Sequence, residues 1–501
     1  MAFPCPHASG NSNHPLIPFL KTCKTIDHLK QIHAHSLKSF HTSITTPQHL
    51  YLYSRLIQLS ITALDADLNY SSLLLRHHPI SPNSFIYNTF IKSATTSSSS
   101  SDPDLPLHLY LHMLSADVAP SKHTYPLLLK SCSRRFLLLE GRQIHTHSVV
   151  LGFGSDVYVN NSLIHFYAAC GHMNTARKVF DGMADRTVVS WNSLIHGYVS
   201  CGEHEAGIGQ FREMQIQKIF VPDGFTIQSV ASACGNMAAP TLAMWVHRFC
   251  NRIGSASADV LIGNSLLDMY SKCGCISMAR QLFETMPHRN LASWNHMILG
   301  FAMNGLVQES LKTFHQLCNI KHLSPNHITF IGLLTACNHG GMVAHGLRYF
   351  KSMVIDFNID PSIEHYGCLI DLLGRAGLVR EALAVVSTMT CEPDIVIWRS
   401  LLDNHHKKEA RGECNDGFLK DDSLFLARKI LESEHSAGGF VLVSKMHTAR
   451  KRWENATIIR RLMDEQDIQK QAGCSLIEID NCVHHFLSGN CYSEQNPPTK
   501  I

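Results

Sequence analysis

The chain alternates short amphipathic segments with breaks of fixed kind. In Val157–Thr187, apolar side chains at Leu163, Ile164, Phe166, Tyr167 and Ala168 follow helical spacing. Cys170-Gly171-His172 interrupts that pattern, and Gly171 suits the left-handed conformation that ends a helix. A second amphipathic run follows, carrying Ala176, Val179, Phe180 and Met183. Further along, Pro222, Pro287, Pro325, Pro361 and Pro393 punctuate the chain where a helix cannot continue. The pattern predicts helix–turn–helix units. One such hairpin cannot bury its apolar face alone, and stacking on its neighbours does so.

The units recur. VVSWN at Val188–Asn192 returns as LASWN at Leu291–Asn295, 103 residues on. The segment from Val157, VYVNNSLIHFYAACGHMNTARKVFDGM, returns from Val260 as VLIGNSLLDMYSKCGCISMARQLFETM, and GFTIQSVASAC from Gly224 returns from His327 as HITFIGLLTAC. Both displacements are again 103 residues, so the period is a compound of repeats of 31, 36 and 36 residues. Such self-similarity predicts an all-α solenoid with a concave groove. Nine repeats follow from it: 84–121, 122–156, 157–187, 188–223, 224–259, 260–290, 291–326, 327–362 and 363–394. A worn version occupies 16–83, where LKTCKTIDHLKQIHAHSLKSF echoes Leu129–Phe153 and Gln-Ile-His at Gln31–His33 returns at Gln143–His145. Thr95–Pro106 is expected to be a loop insertion between the helices of its repeat. Beyond Asp394, a small extension spans 395–490. Within it, Asp403–Asp422 is charged, Trp453–Met463 is amphipathic, and CSLIEIDNCVHHFL (Cys474–Leu487) alternates as a strand hairpin does. Residues 491–501 are expected to fray.

A net charge of +3 excludes a polycation, so a nucleic-acid partner needs a local basic groove. No apolar run is long enough to span a membrane. Residues 1–15 are polar and lack acids, as a transit peptide does, although Arg is absent too. The 17 cysteines include no Cys-x-x-Cys. Cys132, Cys170, Cys201, Cys234, Cys273 and Cys337 end first helices and are expected to be small buried core residues in a reducing compartment. His405-His406 and His484-His485 are expected at the surface rather than on a metal, and neither a metal nor a cofactor is expected anywhere.

VVSWNSLIHGY, NSLLDMYSKCG, ARKVFDGM, SPNHITFIGLLTACNHGG and EHYGCLIDLLGRAGLVREA resemble the plant pentatricopeptide repeat family, in its subgroup of alternating long and short repeats. The likeness is strong over 84–394 and weak over 16–83. RRLMDEQDIQKQAGCSLIEIDNCVHHFLSGN resembles that subgroup's C-terminal extension, with Ala472 and Leu476 where the family more often has Pro and Trp. The resemblance implies a right-handed superhelix, and a repeat that reads one RNA base through its fifth and last residues. Short polar side chains there can bond a base edge; Asn offers donor and acceptor, and ionised Asp only acceptors. The pairs are Asn88/Ser121 for C, Asn161/Thr187 and Asn264/Asn290 for a pyrimidine, Asn192/Asp223 for U and Asn295/Asn326 for a pyrimidine. Gly367/Asp394 departs from the pattern, and Pro126/Asp156, Gln228/Asp259 and Ile331/Ser362 act as spacers. The implied target is 5′-C-n-Y-U-n-Y-Y-n-n. A fixed Asn could instead cap a helix or bond between repeats, and Trp191 and Trp294 beside it belong to the core.

In the family, such extensions present a cytidine deaminase to organellar transcripts. The deaminase signature needs His-x-Glu and Cys-x-x-Cys, and this chain has neither. The resemblance therefore implies a monomeric, non-enzymatic recognition factor for C-to-U editing. It would bind single-stranded RNA in the mitochondrion, or else the chloroplast, and work with a deaminase supplied in trans. The alternatives are an organellar RNA stability, splicing or translation factor, or a protein-binding solenoid scaffold.

Overall fold

The computed structural model describes residues 16, 19–20, 23, 25–39, 47–62, 68–76, 83–96, 102–254, 259–410, 425–431, 437–449, 451–465, 468, 474–479, 482–487 and 499–500. The expected transit segment 1–15, residues 97–101 of the loop insertion and 411–422 of the charged stretch lie outside them. So do the side chains of both adjacent-histidine pairs. The chain forms two compact bodies, Met1–Pro222 and Asp223–Ile501.

In the first body, helix pairs run Ser84–Thr96 with Leu105–Ser115, Thr124–Arg135 with Leu138–Val150, Val157–Ala169 with Met173–Asp181, and Val188–Ser200 with His204–Gln217. Helices Ile26–Ser39, Pro47–Thr62 and Leu68–Arg76 precede them, around a small core of Leu16, Leu20, Ile26, Leu29, Leu52 and Leu56. In the second body, the pairs are Gly224–Asn236 with Pro240–Arg252, Val260–Lys272 with Ile276–Thr285, Leu291–Met303 with Val307–Cys318, His327–His339 with Val343–Ile355, and Ile363–Arg375 with Val379–Ser387. Helices Ile395–Ala410, Ala437–Ala449 and Trp453–Glu465 follow. Trp398, Leu401, Phe440, Val443 and Ile459 share one core with Tyr366 and Ile370, so the extension continues the packing of the last repeat.

The turns explain why each repeat is a hairpin. Gly171 has φ +75°, and the N–H groups of Gly171 and His172 donate to Ala168 O at 2.9 Å and Tyr167 O at 2.8 Å. These two bonds reverse the chain after one helix and satisfy its last carbonyls. Phe136 and Ala238 hold left-handed backbone in their repeats without being glycine.

Within each body, first helices pack side by side. Gly197 shows how closely: a Cβ there would meet the Ala168 Cβ of the preceding repeat at 2.8 Å. Gly300, 103 residues on, would meet Ser271 Oγ at 2.3 Å. Trp191 and Trp294 are buried, each edge-on to a phenylalanine of the preceding second helix, with ring centroids 4.8 Å from Phe180 and 4.9 Å from Phe283. The recurrent Gln-Ile-His carries its own bond. His33 meets Tyr70 Oη at 2.8 Å and His145 meets Tyr167 Oη at 2.9 Å, and the pair recurs as His247 and Tyr270 at 2.9 Å. Burial pushes all three histidines below their ordinary pKa, so each neutral ring shares a hydrogen bond with a tyrosine hydroxyl.

Two expectations need correction. Cys132, Cys234 and Cys337 are fully buried, but Cys170, Cys201 and Cys273 are only half-buried. The first three sit one turn inside their helices, whereas the others occupy the C-cap, where the chain turns outward. The expected hairpin is present, strand β1 (Cys474–Ile479) pairing antiparallel with β2 (Cys482–Leu487). The end of the chain does not simply fray, because β3 (Thr499–Lys500) pairs antiparallel with Val483 and Cys482. A third strand gives the outer edge of β2 backbone partners that a lone hairpin lacks.

Gly197→Leu should force the helices Val157–Ala169 and Val188–Ser200 apart. It is expected to cost about 1–3 kcal/mol by chemical denaturation, the range for overpacking, whereas Gly209→Leu, with open space around its Cβ, should change stability little.

Candidate nucleic-acid interface

Each junction between repeats is the start of a helix, and a helix start needs side-chain acceptors for its free N–H groups. The last residue of most repeats fills that place; Ser121 does not, because helix Thr124–Arg135 starts after His123 without a side-chain cap. Asp223 accepts from Thr226 N at 2.9 Å, Asn290 from Ser293 N at 3.0 Å and Asn326 from Thr329 N at 3.2 Å. Thr187 does the same for Ser190, Asp156 for Tyr158 and Val159, Asp259 for Leu261, and Asp394 for Ile397. In five junctions a reciprocal bond closes a capping box. The box of Ser362 uses His365 instead of a hydroxyl residue. Burial keeps His365 below its ordinary pKa; Nδ1 accepts from Ser362 N at 3.1 Å, and Nε2 donates to His327 O at 2.9 Å.

The fifth residues join these caps across the junction. Asn264 Nδ2 donates to Asn290 Oδ1 at 3.2 Å, and Ser293 Oγ donates to Asn264 Oδ1 at 2.6 Å. Asn295 repeats this with Asn326 at 3.1 Å and Thr329 at 2.7 Å. Asn88 does so with Ser121 at 3.1 Å and Thr124 at 2.8 Å. The expected fifth-and-last pairs are thus brought together in all three. Asn264 and Asn295 are 7% and 5% exposed, and their amide oxygens are occupied by the hydroxyls of the next repeat. Their partners Asn290 and Asn326 stand further out, exposed and half-exposed. The pair therefore offers a ligand its outer member and the remaining amide hydrogens.

The other pairs differ. Asn161 is 9% exposed, with no hydrogen bond to its Oδ1 among the described residues, while Thr187 is exposed and bonds Ser190 instead. Asn192 is half-buried in the first body, and Asp223 is an exposed cap in the second. Gly367 leaves open space where a fifth side chain would stand, beside the half-exposed Asp394. Of the spacers, Gln228 is exposed and Pro126 and Ile331 are half-buried.

Sequence reasoning missed two sets of residues. One is the Ser or Thr three places after each cap, whose signal was legible as T-V-V-S, D-G-F-T, N-L-A-S and N-H-I-T. The other is a row of large apolar side chains at the second place of the first helix. Phe85, Tyr158 and Val189 in the first body, and Phe225, Leu261, Ile328 and Val396 in the second, are all exposed. One exposed apolar residue needs no explanation, but recurrence at one repeat position, three times in the first body and four in the second, gives each body places where a flat apolar face can lie. Among the described residues, no group of three His, Cys, Asp or Glu could hold a metal ion, and no helix is long and apolar enough to cross a membrane.

A family model described as PPR repeat matches residues 161–188, 189–219, 264–291, 292–320 and 364–392. The chain is 41% identical to a pentatricopeptide repeat-containing protein of Arabidopsis thaliana named as chloroplastic/mitochondrial, over 99% of this chain and 77% of the relative. With a second such Arabidopsis thaliana protein it shares 33% identity over 96% of this chain and 79% of the relative. Among solved structures it is similar, with a TM-score of 0.60 and 16% identity, to the pentatricopeptide repeat protein PPR10 in complex with an 18-nt psaJ RNA element. That likeness covers 87% of this chain but only 62% of the other, and it concerns the fold alone.

Replacing a cap separates stability from recognition. Asn290→Ala should lose about 1 kcal/mol of folding stability, as helix caps do. Asn290→Asp should lose little, because the acceptor remains; thermal or urea unfolding of both variants checks this.

Proposed function

The chain belongs to the pentatricopeptide repeat family, and on that premise we propose that it is a sequence-specific single-stranded RNA-binding protein of plant organelles. The observation that carries this reading is the recurrence, at several repeat junctions, of a hydrogen-bonded polar pair with one outer member, together with exposed apolar side chains at the second place of seven first helices. A base stacked on Tyr158 or Phe225 would present its polar edge to such a pair. Stacking on aromatic side chains tolerates any base, so discrimination falls to the hydrogen-bonding edge.

In this reading Asn88/Ser121 favours C, Asn192/Asp223 favours U, and Asn161/Thr187, Asn264/Asn290 and Asn295/Asn326 favour a pyrimidine. Gly367 contributes no side chain, so its repeat makes no choice through the fifth place. The repeats run with their first member on the 5′ base, which gives 5′-C-n-Y-U-n-Y-Y-n-n. The chloroplastic/mitochondrial relative that aligns with almost all of this chain supports a plastid or mitochondrial location, the mitochondrion being our preference.

The finer role is recognition of a C-to-U editing site. It is supported by the extension after Asp394, which packs on the last repeat. The protein would supply the address and a separate deaminase the chemistry, without catalysis or a cofactor of its own. Loss of one C-to-U change in organellar transcripts of a plant lacking this protein would establish the role; an unchanged editing profile with altered transcript ends or introns would replace it with processing.

Selection of the full chain against randomised single-stranded RNA is expected to return the pattern above, and purines at the fourth base would contradict it. Asp223→Asn should weaken the preference for U at that base alone, because it exchanges an acceptor-only group for one that also donates.

A further inference from the structure

Counted from the first residue of each repeat, the second, ninth and thirteenth places lie along one side of the first helix, at spacings of seven and four. In the first body the ninth place holds Lys92, Lys130, His165 and His196, on four successive first helices, and all four are exposed. None of those helices, Ser84–Thr96, Thr124–Arg135, Val157–Ala169 or Val188–Ser200, contains an Asp or Glu. Among the described residues no acidic side chain forms an ion pair with any of the four. His165 is held below its ordinary pKa by partial desolvation, then by the positive charge of His196 and Lys130 on the flanking helices.

The second body arranges the same stripe differently. On three of its first helices the ninth place holds an acid, Asp268, Asp371 and Asp403, where the others carry Ser232, Leu299 and Thr335, and each carboxylate pairs with the cation four residues on. Lys272 Nζ lies 2.7 Å from Asp268, Arg375 Nε 2.9 Å from Asp371, and Lys407 Nζ 2.5 Å from Asp403. Asp371 is also held by Asn338, Ser400 and Asn404 at 2.6, 2.8 and 3.0 Å. Those cations are already neutralised. The small net charge of the chain thus conceals one body with an uncompensated cationic stripe and another whose stripe is internally paired.

Resting on the RNA-binding reading, we propose that Lys92, Lys130, His165 and His196 form a track for the RNA phosphate backbone. One basic side chain per repeat matches one phosphate per recognised base: Lys92 and Lys130 do so by charge, and His165 and His196 by donating a ring N–H to a phosphate oxygen. The track supplies affinity without sequence preference, because phosphates carry no base identity. The ninth-place acids of the second body leave recognition there to the base-facing pairs.

The test measures affinity of the full chain for a fluorescent single-stranded RNA pool across a salt series. The double variant Lys92→Gln with Lys130→Gln is compared with Lys272→Gln with Lys407→Gln, which removes the same net charge from exposed or half-exposed sites. Each phosphate contact to a single strand contributes about 0.7 to the slope of log affinity on log salt. The first variant should therefore flatten the slope by about 1.4, weakening all sequences alike, while the second changes it much less. Equal flattening by both pairs, or no flattening by the first, overturns the track. Failure of the wild-type chain to bind any RNA overturns the RNA-binding reading and the track together. Unchanged circular-dichroism melting of both variants confirms that the comparison concerns binding.

Discussion

The hydrogen-bonded junction between repeats is the constraint on which the architecture rests. A stack of helical hairpins has a free helix start at every repeat, and unsatisfied N–H groups there would be costly once packed. Asn290 with Ser293 and Asn326 with Thr329 satisfy those groups, and Asn264 and Asn295 extend the same bonds back to the previous repeat. The polar pair at such a junction is therefore also the fastening between hairpins. Its position is set by helix geometry and not by the reach of a flexible side chain.

Every first helix has three environments to meet at once. Within each body its flanks pack against the neighbouring first helices, which requires close approach at Gly197 and Gly300. A third side receives the second helix, where His145 and Tyr167 or His247 and Tyr270 bond across the next junction. What remains is the narrow stripe that ends up exposed. Apolar residues on it, such as Phe225 and Val396, contribute nothing to the core of their own helix. That separation lets charge and stacking groups vary along the stripe without disturbing the packed faces.

Much of this was legible in the sequence. The 103-residue recurrence, the glycine turns and the alternation of Cys474–Leu487 each rest on local periodicity, which survives translation into structure. The ambiguity lay where two physical demands select the same letters. Asp, Asn, Ser and Thr are the residues that cap helices and also the ones that can bond a base edge, so Asn290 and Asp223 fit either reading. The half-buried state of Cys170, Cys201 and Cys273 depends on a three-residue difference in position from Cys132, Cys234 and Cys337, which a shared position near the helix end conceals. The pairing of Thr499–Lys500 with β2 joins residues too far apart in the chain for local pattern to reveal.

The interchangeability of helix caps also bears on how such a chain can change over generations. Four residue types start a helix at nearly the same free energy, so a junction such as Asn290 can exchange one for another while the hairpin beneath it stays folded. Substitution at the caps is then close to neutral for stability, and lineages can drift among these variants before selection acts on what the groove prefers.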